Sequence, residues 1–308
     1  MPSTLCSRRI SAQSSTVITL LSVAEGVRFH PSPRGQFSGV ADNGALTRPS
    51  RTVSRVQPAD DATEIPLEGG NVGGAVRVGE TVRRPTGPWT PAVHELLDFL
   101  ATTDLPHVPR VLGTDDRGRE VLTYLPGRVV PIGVEPLTDA QVRSAMRWLR
   151  HFHEVVRGFP RDGRRWRFVE RALEPGEIVC HHDVAMYNLA FDGDELAGVF
   201  DWDVAGPGRP VDDLAIFAWN GPLLFPDGDP AAAAHDLRVM AEAYGDVSPA
   251  AILDHVTVRM TDASDRIEEG QRRGDPGMLR LGEIGEPAST RARVATLRGH
   301  LPAIRALL

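Results

Sequence analysis

The chain has 308 residues, with 34 basic side chains against 41 acidic ones and a formal net charge of −7. That length is enough for two lobes, each with its own core. Two cysteines, Cys6 and Cys180, cannot build a disulfide framework, so a reducing, cytoplasmic setting is expected. Every basic residue is arginine, so a step that calls for an ammonium must use a guanidinium or do without. Residues 172–308 carry 11 Arg against 23 Asp/Glu, which argues against nucleic acid as a partner of that half. No run nears the ~18 consecutive apolar residues of a membrane span, so a membrane is not expected either.

Residues 1–57 are rich in Ser, Pro, Gly and Arg and show no sustained period. Ser7-Arg8-Arg9 before Val17–Leu21 has part of a secretory leader, but the apolar run is short and no small-residue cleavage pattern follows. The segment reads as a disordered extension. Order is expected from near Thr63, in a lobe spanning residues 58–126. Glu64–Leu67, Ala75–Val78 and Thr81–Arg83 read as short strands. Between the first two lies Gly69-Gly70-Asn71-Val72-Gly73-Gly74, whose glycines let the backbone approach a phosphate. Thr90-Pro91 opens a helix whose apolar face is Val93, Leu96, Leu97 and Leu100. Arg110–Gly113 and Glu120–Tyr124 are two further strands around the turn Asp115–Gly118.

From residue 127 to 308 the pattern turns helical. Thr138-Asp139-Ala140-Gln141 is a capping box, and apolar residues at helical spacing carry that helix toward Arg157. His151 and His153, at i and i+2, face different ways and cannot share a metal. Arg161–Arg171 is a basic connector. Segments 211–219, 229–244, 250–269 and 290–307 read as helices. The fold class is therefore α+β: a small antiparallel sheet with one helix, then a larger, mostly helical lobe.

Ile178 to Asp203 carries the chemistry. The apolar strand Ile178-Val179-Cys180 runs into His181-His182-Asp183, and Asn188 follows. Leu189–Phe191 and Leu196–Phe200 flank the turn Asp192-Gly193-Asp194-Glu195, and the second run ends on Asp201. A hairpin brings its ends together, so Asp183, Asn188 and Asp201 converge at one end, where hard oxygens can hold Mg2+ and position a hydroxyl. Cys180, His181 and His182 are consecutive, so their side chains diverge and a zinc site is not expected. Trp202 reads as core.

H-x-D-x-x-x-x-N, an apolar hairpin, D-W-D and then D-L-A resemble the aminoglycoside phosphotransferase and choline kinase branch of the protein-kinase-like fold. The stretch from Gly69-Gly70-Asn71 to Trp89-Thr90-Pro91 looks like the subgroup that includes trifolitoxin immunity proteins. The resemblance implies ATP (or GTP)-dependent transfer of a phosphoryl group to a small-molecule hydroxyl, assisted by Mg2+. It implies Asp183 as catalytic base, Asn188 and Asp201 as metal ligands, His181 as an architectural residue and Asp213 as a brace for the catalytic loop. Gly70 and Asn71 would approach the phosphates, and Thr123, Tyr124 and Leu125 would be the hinge that reads the base. The phosphate-gripping lysine of the family becomes Arg83, with Arg77 and Arg84 as alternatives. The usual carboxylate partner on the following helix is not evident, because Glu95 and Asp98 fall off the docked face and His94 lies nearer to it. Twelve residues from Asp201 to Asp213 leave no room for a peptide-docking segment. The expected acceptor is thus a small hydroxyl compound, a cationic one being suggested by the acidic C-terminal half. A kinase-fold immunity or binding protein with weak or lost transfer chemistry is the alternative. Oligomeric state is not legible.

Overall fold

The computed structural model describes residues 63–67, 74–131, 134–221 and 229–308. The extension at 1–57 and the pair Gly70 and Asn71 lie outside them.

The first lobe is a five-stranded antiparallel sheet with one helix. Its strands are β1 (Ile65–Pro66), β2 (Val76–Val78), β3 (Thr81–Arg84), β4 (Val111–Thr114) and β5 (Glu120–Thr123), in the order β1-β2-β3-β5-β4. Helix α1 (Thr90–Leu100) enters between β3 and β4 and buries Val93, Leu96, Leu97 and Leu100, the face its spacing predicts. It starts one residue early, with Trp89 at the cap position. Thr90 instead uses its hydroxyl to accept the Gly87 N–H at 2.8 Å. In the β3–β5 ladder Arg84 sits opposite Glu120 and Arg83 opposite Val121. Paired residues of an antiparallel ladder share a face and neighbours alternate, so Arg83 and Arg84 leave the sheet on opposite sides.

The second lobe opens with β6 (Arg128–Val129) and α2 (Asp139–Val155). Thr138 and Gln141 form the capping box at the start of α2. The basic connector folds into a hairpin, β7 (Arg164–Arg165) with β8 (Glu170–Arg171), that buries Trp166. β9 (Ile178–Cys180) leads to the catalytic loop, and β10 (Leu189–Asp192) with β11 (Glu195–Val199) forms the expected hairpin. β6 pairs with β10, and β12 (Gly206–Gly208) pairs with β9. Gly127 leads into β6 at φ 137, where a Cβ would come within 2.9 Å of Ala190 Cβ. A glycine satisfies both constraints at once.

Helices α3 (Pro210–Asn220), α4 (Pro230–Tyr244), α5 (Pro249–Arg272) and α6 (Pro276–Glu283) each begin on a proline, whose fixed φ and missing N–H suit a first helical position. Asp229, Ser248 and Asp275 cap the last three of these with side-chain oxygens. Helix α7 (Ala288–Arg305) closes the chain. The short α6 and strands β6, β7, β8 and β12 were not expected from periodicity. The core beneath the catalytic loop is aromatic. Phe152 stacks on Trp148 at 5.5 Å, and both meet the fully buried Trp202 edge-on. No helix among the described residues is long and apolar enough to cross a membrane.

Candidate active site

The catalytic loop is held from below by Asp213. This carboxylate, on the first turn of α3, is fully buried. Its Oδ2 accepts the His181 N–H at 2.9 Å, its Oδ1 accepts the His182 N–H at 2.7 Å, and His153 Nε2 lies 3.0 Å from Oδ2. Tyr244 meets the other side of the His153 ring at 2.8 Å. Burial alone would push the Asp213 pKa up. The His153 hydrogen bond and the nearby imidazoles outweigh it and hold the group well below the usual carboxylate range. The grip lets His182 adopt φ 64, an uncommon backbone state for a non-glycine residue.

His181 is locked as a neutral ring. Its Nδ1 accepts the Asp183 N–H at 3.2 Å, which leaves the proton on Nε2 to donate to Phe200 O at 3.1 Å. Burial lowers its pKa, consistent with that tautomer. Trp202 packs against the ring at 4.5 Å. The ring thereby ties the start of the catalytic loop to the end of the β10–β11 hairpin.

Asp183 is half-buried and projects beyond this scaffold. Tyr187 donates its hydroxyl hydrogen to Oδ1 at 2.9 Å, and Asn188 Nδ2 donates to Oδ2 and to the backbone oxygen, both at 2.9 Å. Burial and the neighbouring Asp201 charge push its pKa up to about 7, against the lowering effect of those two hydrogen bonds. The carboxylate therefore sits at a pKa suited to taking a proton near neutrality.

The hairpin brings the backbone just before Asp201 against Asn188, the Phe200 N–H donating to Asn188 O at 3.1 Å. Because the Asn188 amide nitrogen is spent on Asp183, its oxygen is left as a neutral ligand. Asp201, at φ 61, turns sharply where β11 ends. Burial opposes its ionisation, but the Arg84 guanidinium and its hydrogen bond carry the pKa below the ordinary value. Two hard oxygen donors beside a third carboxylate, Asp203, suit a hard divalent cation such as Mg2+.

The opposite wall corrects the expectation at Arg83. That residue is buried on the far face of the sheet, 3.6 Å from Asp115, and does not join the site. Arg84 is the arginine that faces the site. Its Nη2 reaches Asp201 Oδ1 at 3.0 Å and Asp203 Oδ2 at 2.6 Å, and its Nε reaches Glu120 Oε1 at 3.1 Å. Three carboxylates outweigh desolvation and raise the Arg84 pKa, keeping it charged. Its partner Glu120, from β5, also meets His94 Nε2 of α1 at 2.7 Å. Glu95 instead pairs with Arg164 of the β7–β8 hairpin. Arg167, from the same hairpin, lies 3.6 Å from Asp203 and binds Asp275 at 2.8 Å. Asp203 is pushed up by burial and by Asp201 and Glu120, despite Arg84.

Thr123, Tyr124 and Leu125 lie where β5 leaves the first lobe. The Thr123 and Tyr124 N–H groups already donate to Arg110 O at 3.0 Å and Glu80 O at 2.9 Å. A base at this edge would meet the carbonyls or Leu125. Arg77 stacks on the Tyr124 ring at 3.7 Å and pairs with Glu80, so it too is committed elsewhere. The residues missed from sequence are Glu120, Asp203, Tyr187 and His153. Glu120 could have been found from the alternation of β3 and the register of its partner strand, and Tyr187 from its hydroxyl within the catalytic loop.

A family model of the Phosphotransferase enzyme family matches residues 81–178 and 174–249, more than half of the chain. The chain is 32% identical over 195 residues to a trifolitoxin immunity protein of Rhizobium leguminosarum bv. trifolii, an alignment covering 59% of this chain and 74% of that protein. An amicoumacin kinase solved in complex with AMP-PNP and Ca2+ aligns with a TM-score of 0.51 at 12% identity, over 73% of this chain and 83% of the kinase. A Ralstonia eutropha JMP134 protein assigned to the aminoglycoside phosphotransferases aligns with a TM-score of 0.50 at 15% identity, over 78% of this chain and 94% of its own. At these identities the likeness is one of fold, and the fold is the two-lobed, kinase-like α+β arrangement.

Proposed function

This chain belongs to the phosphotransferase enzyme family, and from that premise we propose that it transfers the terminal phosphoryl group of ATP (or GTP) to the hydroxyl of a small molecule. The observation that carries the reading is the seat at Asp183 Oδ1, which already accepts a hydroxyl hydrogen from Tyr187 at 2.9 Å. An acceptor hydroxyl taking that seat is oriented by Asp183, which receives its proton as the oxygen attacks phosphorus in line. Asn188 keeps the carboxylate aimed through its bond to Oδ2. Asn188 and Asp201 would hold Mg2+, which when bound supplies charge neutralisation at the phosphates. Arg84 would grip the phosphates in the lysine's place, and Thr123 to Leu125 would border the base.

The acidic C-terminal half suits a cationic acceptor. The test is an acceptor panel with labelled nucleotide, run on the wild type and Asp183→Asn. Transfer by the first and its loss in the second supports the reading. A second reading, a kinase-fold immunity or binding protein, is favoured by Arg84 being tied to three carboxylates and by Tyr187 lying on Asp183. Nucleotide binding without turnover on any acceptor, with a phenotype indifferent to Asp183→Asn, would establish it instead.

A further inference from the structure

The cavity between the β7–β8 hairpin and α5 is not used by the chemistry above. It has a volume of ≈ 210 Å³. Trp166 and Phe168 of the hairpin and Val204 and Ala205 after the D-W-D turn form apolar walls, and His182, Arg171 and Arg266 supply polar edges. Neither Asp183 nor Asn188 lines it.

The charge in this region is unbalanced. Arg171 is spent on Glu177, which accepts from both of its terminal nitrogens at 2.6 and 2.8 Å. His182 is neutral, because burial and the charges of Arg259 and Arg266 push its pKa down to about 4. Arg259 sits behind it and is only 4% exposed. Its Nη2 donates to His182 O at 3.1 Å, while Nε and Nη1 are buried without a partner among the described residues. Buried guanidinium N–H groups without acceptors are costly, and native structures supply a carbonyl, a water or a bound anion. Arg266 lies seven residues further along α5, two turns on and on the same face, with its guanidinium 5.9 Å from the Phe168 ring centroid. Burial and the charge of Arg259 lower its pKa even though Asp262 and Asp212 favour its charge. Burial and the Arg259 charge thus weigh against the Arg266 charge more than Asp262 and Asp212 support it.

We propose that this cavity binds a small organic oxyanion, a carboxylate or phosphate ester with an aromatic or aliphatic body. Its charge is met by Arg266 at the cavity edge, and its body lies against Trp166 and Phe168. Guanidinium groups are strong partners of both oxyanions, and the apolar walls select against a bare inorganic ion. The site stands apart from phosphoryl transfer, since its ligand is recognised without Asp183.

Calorimetric titration of the full chain with phenyl phosphate, benzoate and inorganic phosphate at fixed ionic strength, with phenol as the neutral control, tests it. Phenyl phosphate or benzoate should bind saturably, and inorganic phosphate more weakly. Arg266→Gln should weaken binding about tenfold or more, as loss of a charge-assisted contact does, with nucleotide affinity unchanged. Arg266→Lys should keep more of the affinity than Arg266→Gln. Phe168→Ala should weaken phenyl phosphate and leave inorganic phosphate as it was. Failure of all three anions to bind saturably, phenol binding as tightly as the anions, or Arg266→Gln titrating like the wild type overturns the proposal, and water then fills the cavity.

Discussion

The two walls of the cleft are built by different means. The 181–188 loop is the more local: Asp183 is bound by Tyr187 and Asn188 four and five residues on, and one buried carboxylate, Asp213 of the next helix, holds the loop's first two N–H groups. The facing wall is assembled from distant segments, with Arg84 from β3, Glu120 from β5, His94 from α1 and two aspartates from the D-W-D turn. A locally determined site tolerates few substitutions but is stable in its geometry. A site assembled from afar can exchange residue types, and here the ion pair facing the loop joins an arginine to a strand carboxylate.

The sharpest break of this comparison is Asp183→Asn, which should lower turnover by about 10²- to 10⁴-fold, the usual weight of a general base, while leaving nucleotide affinity nearly unchanged. Steady-state kinetics beside binding titration separates the two effects. Asp213→Asn should come next, with about 3 kcal/mol of stability lost at pH 7 as the buried brace loses its charge-assisted bonds. Because the folded pKa of Asp213 is depressed, that stabilisation is present above the ordinary carboxylate range and fades as the pH falls through it. Denaturation at pH 7 and pH 3 should therefore show the deficit shrinking.

Arg84→Gln should weaken nucleotide binding by about 10- to 100-fold, and Arg83→Gln should leave it within about twofold. Equal losses in both would put the phosphate grip back on Arg83. The pH dependence is gentler. Asp183 is active as the carboxylate, so kcat/KM should rise with pH and level off above about 7. The same raised pKa means that ionising Asp183 destabilises the fold. Asp183→Asn should then raise the Tm at pH 8 and have little effect near pH 3, below both the folded and the ordinary value, where folded and unfolded carboxyls largely hold their protons.

Part of the local wall could be read from spacing, while the bracing place of Asp213 and the architectural place of His181 came only from the family resemblance. Asp183, Asn188 and Asp201 fall at the ends of one hairpin whose turn and apolar runs are plain, and Asp213 follows at the start of a periodic helix. The lobes, the capping box at Thr138 and helices α3, α4, α5 and α7 were legible for the same reason. The assembled wall was not. The adjacent arginines Arg83 and Arg84 differ only in which face of β3 they leave, and that depends on the register with β5, thirty-six residues away at Glu120. His153 was set aside because its sequence neighbours offered no shared ligand, whereas its partners, Tyr244 and Asp213, lie on two other helices. Helix α6 spans eight residues, too few for a hydrophobic period to stand out.

Arg84 is rooted in the sheet of one lobe, while two of its three ion pairs end on the hairpin of the other. It is therefore also a latch across the lobe boundary. A phosphate that competed for this guanidinium would weaken its hold on Asp201 and Asp203, and with it one tie between the lobes. Because these pairs are largely buried, added salt should loosen the latch far less than it would a pair on the surface.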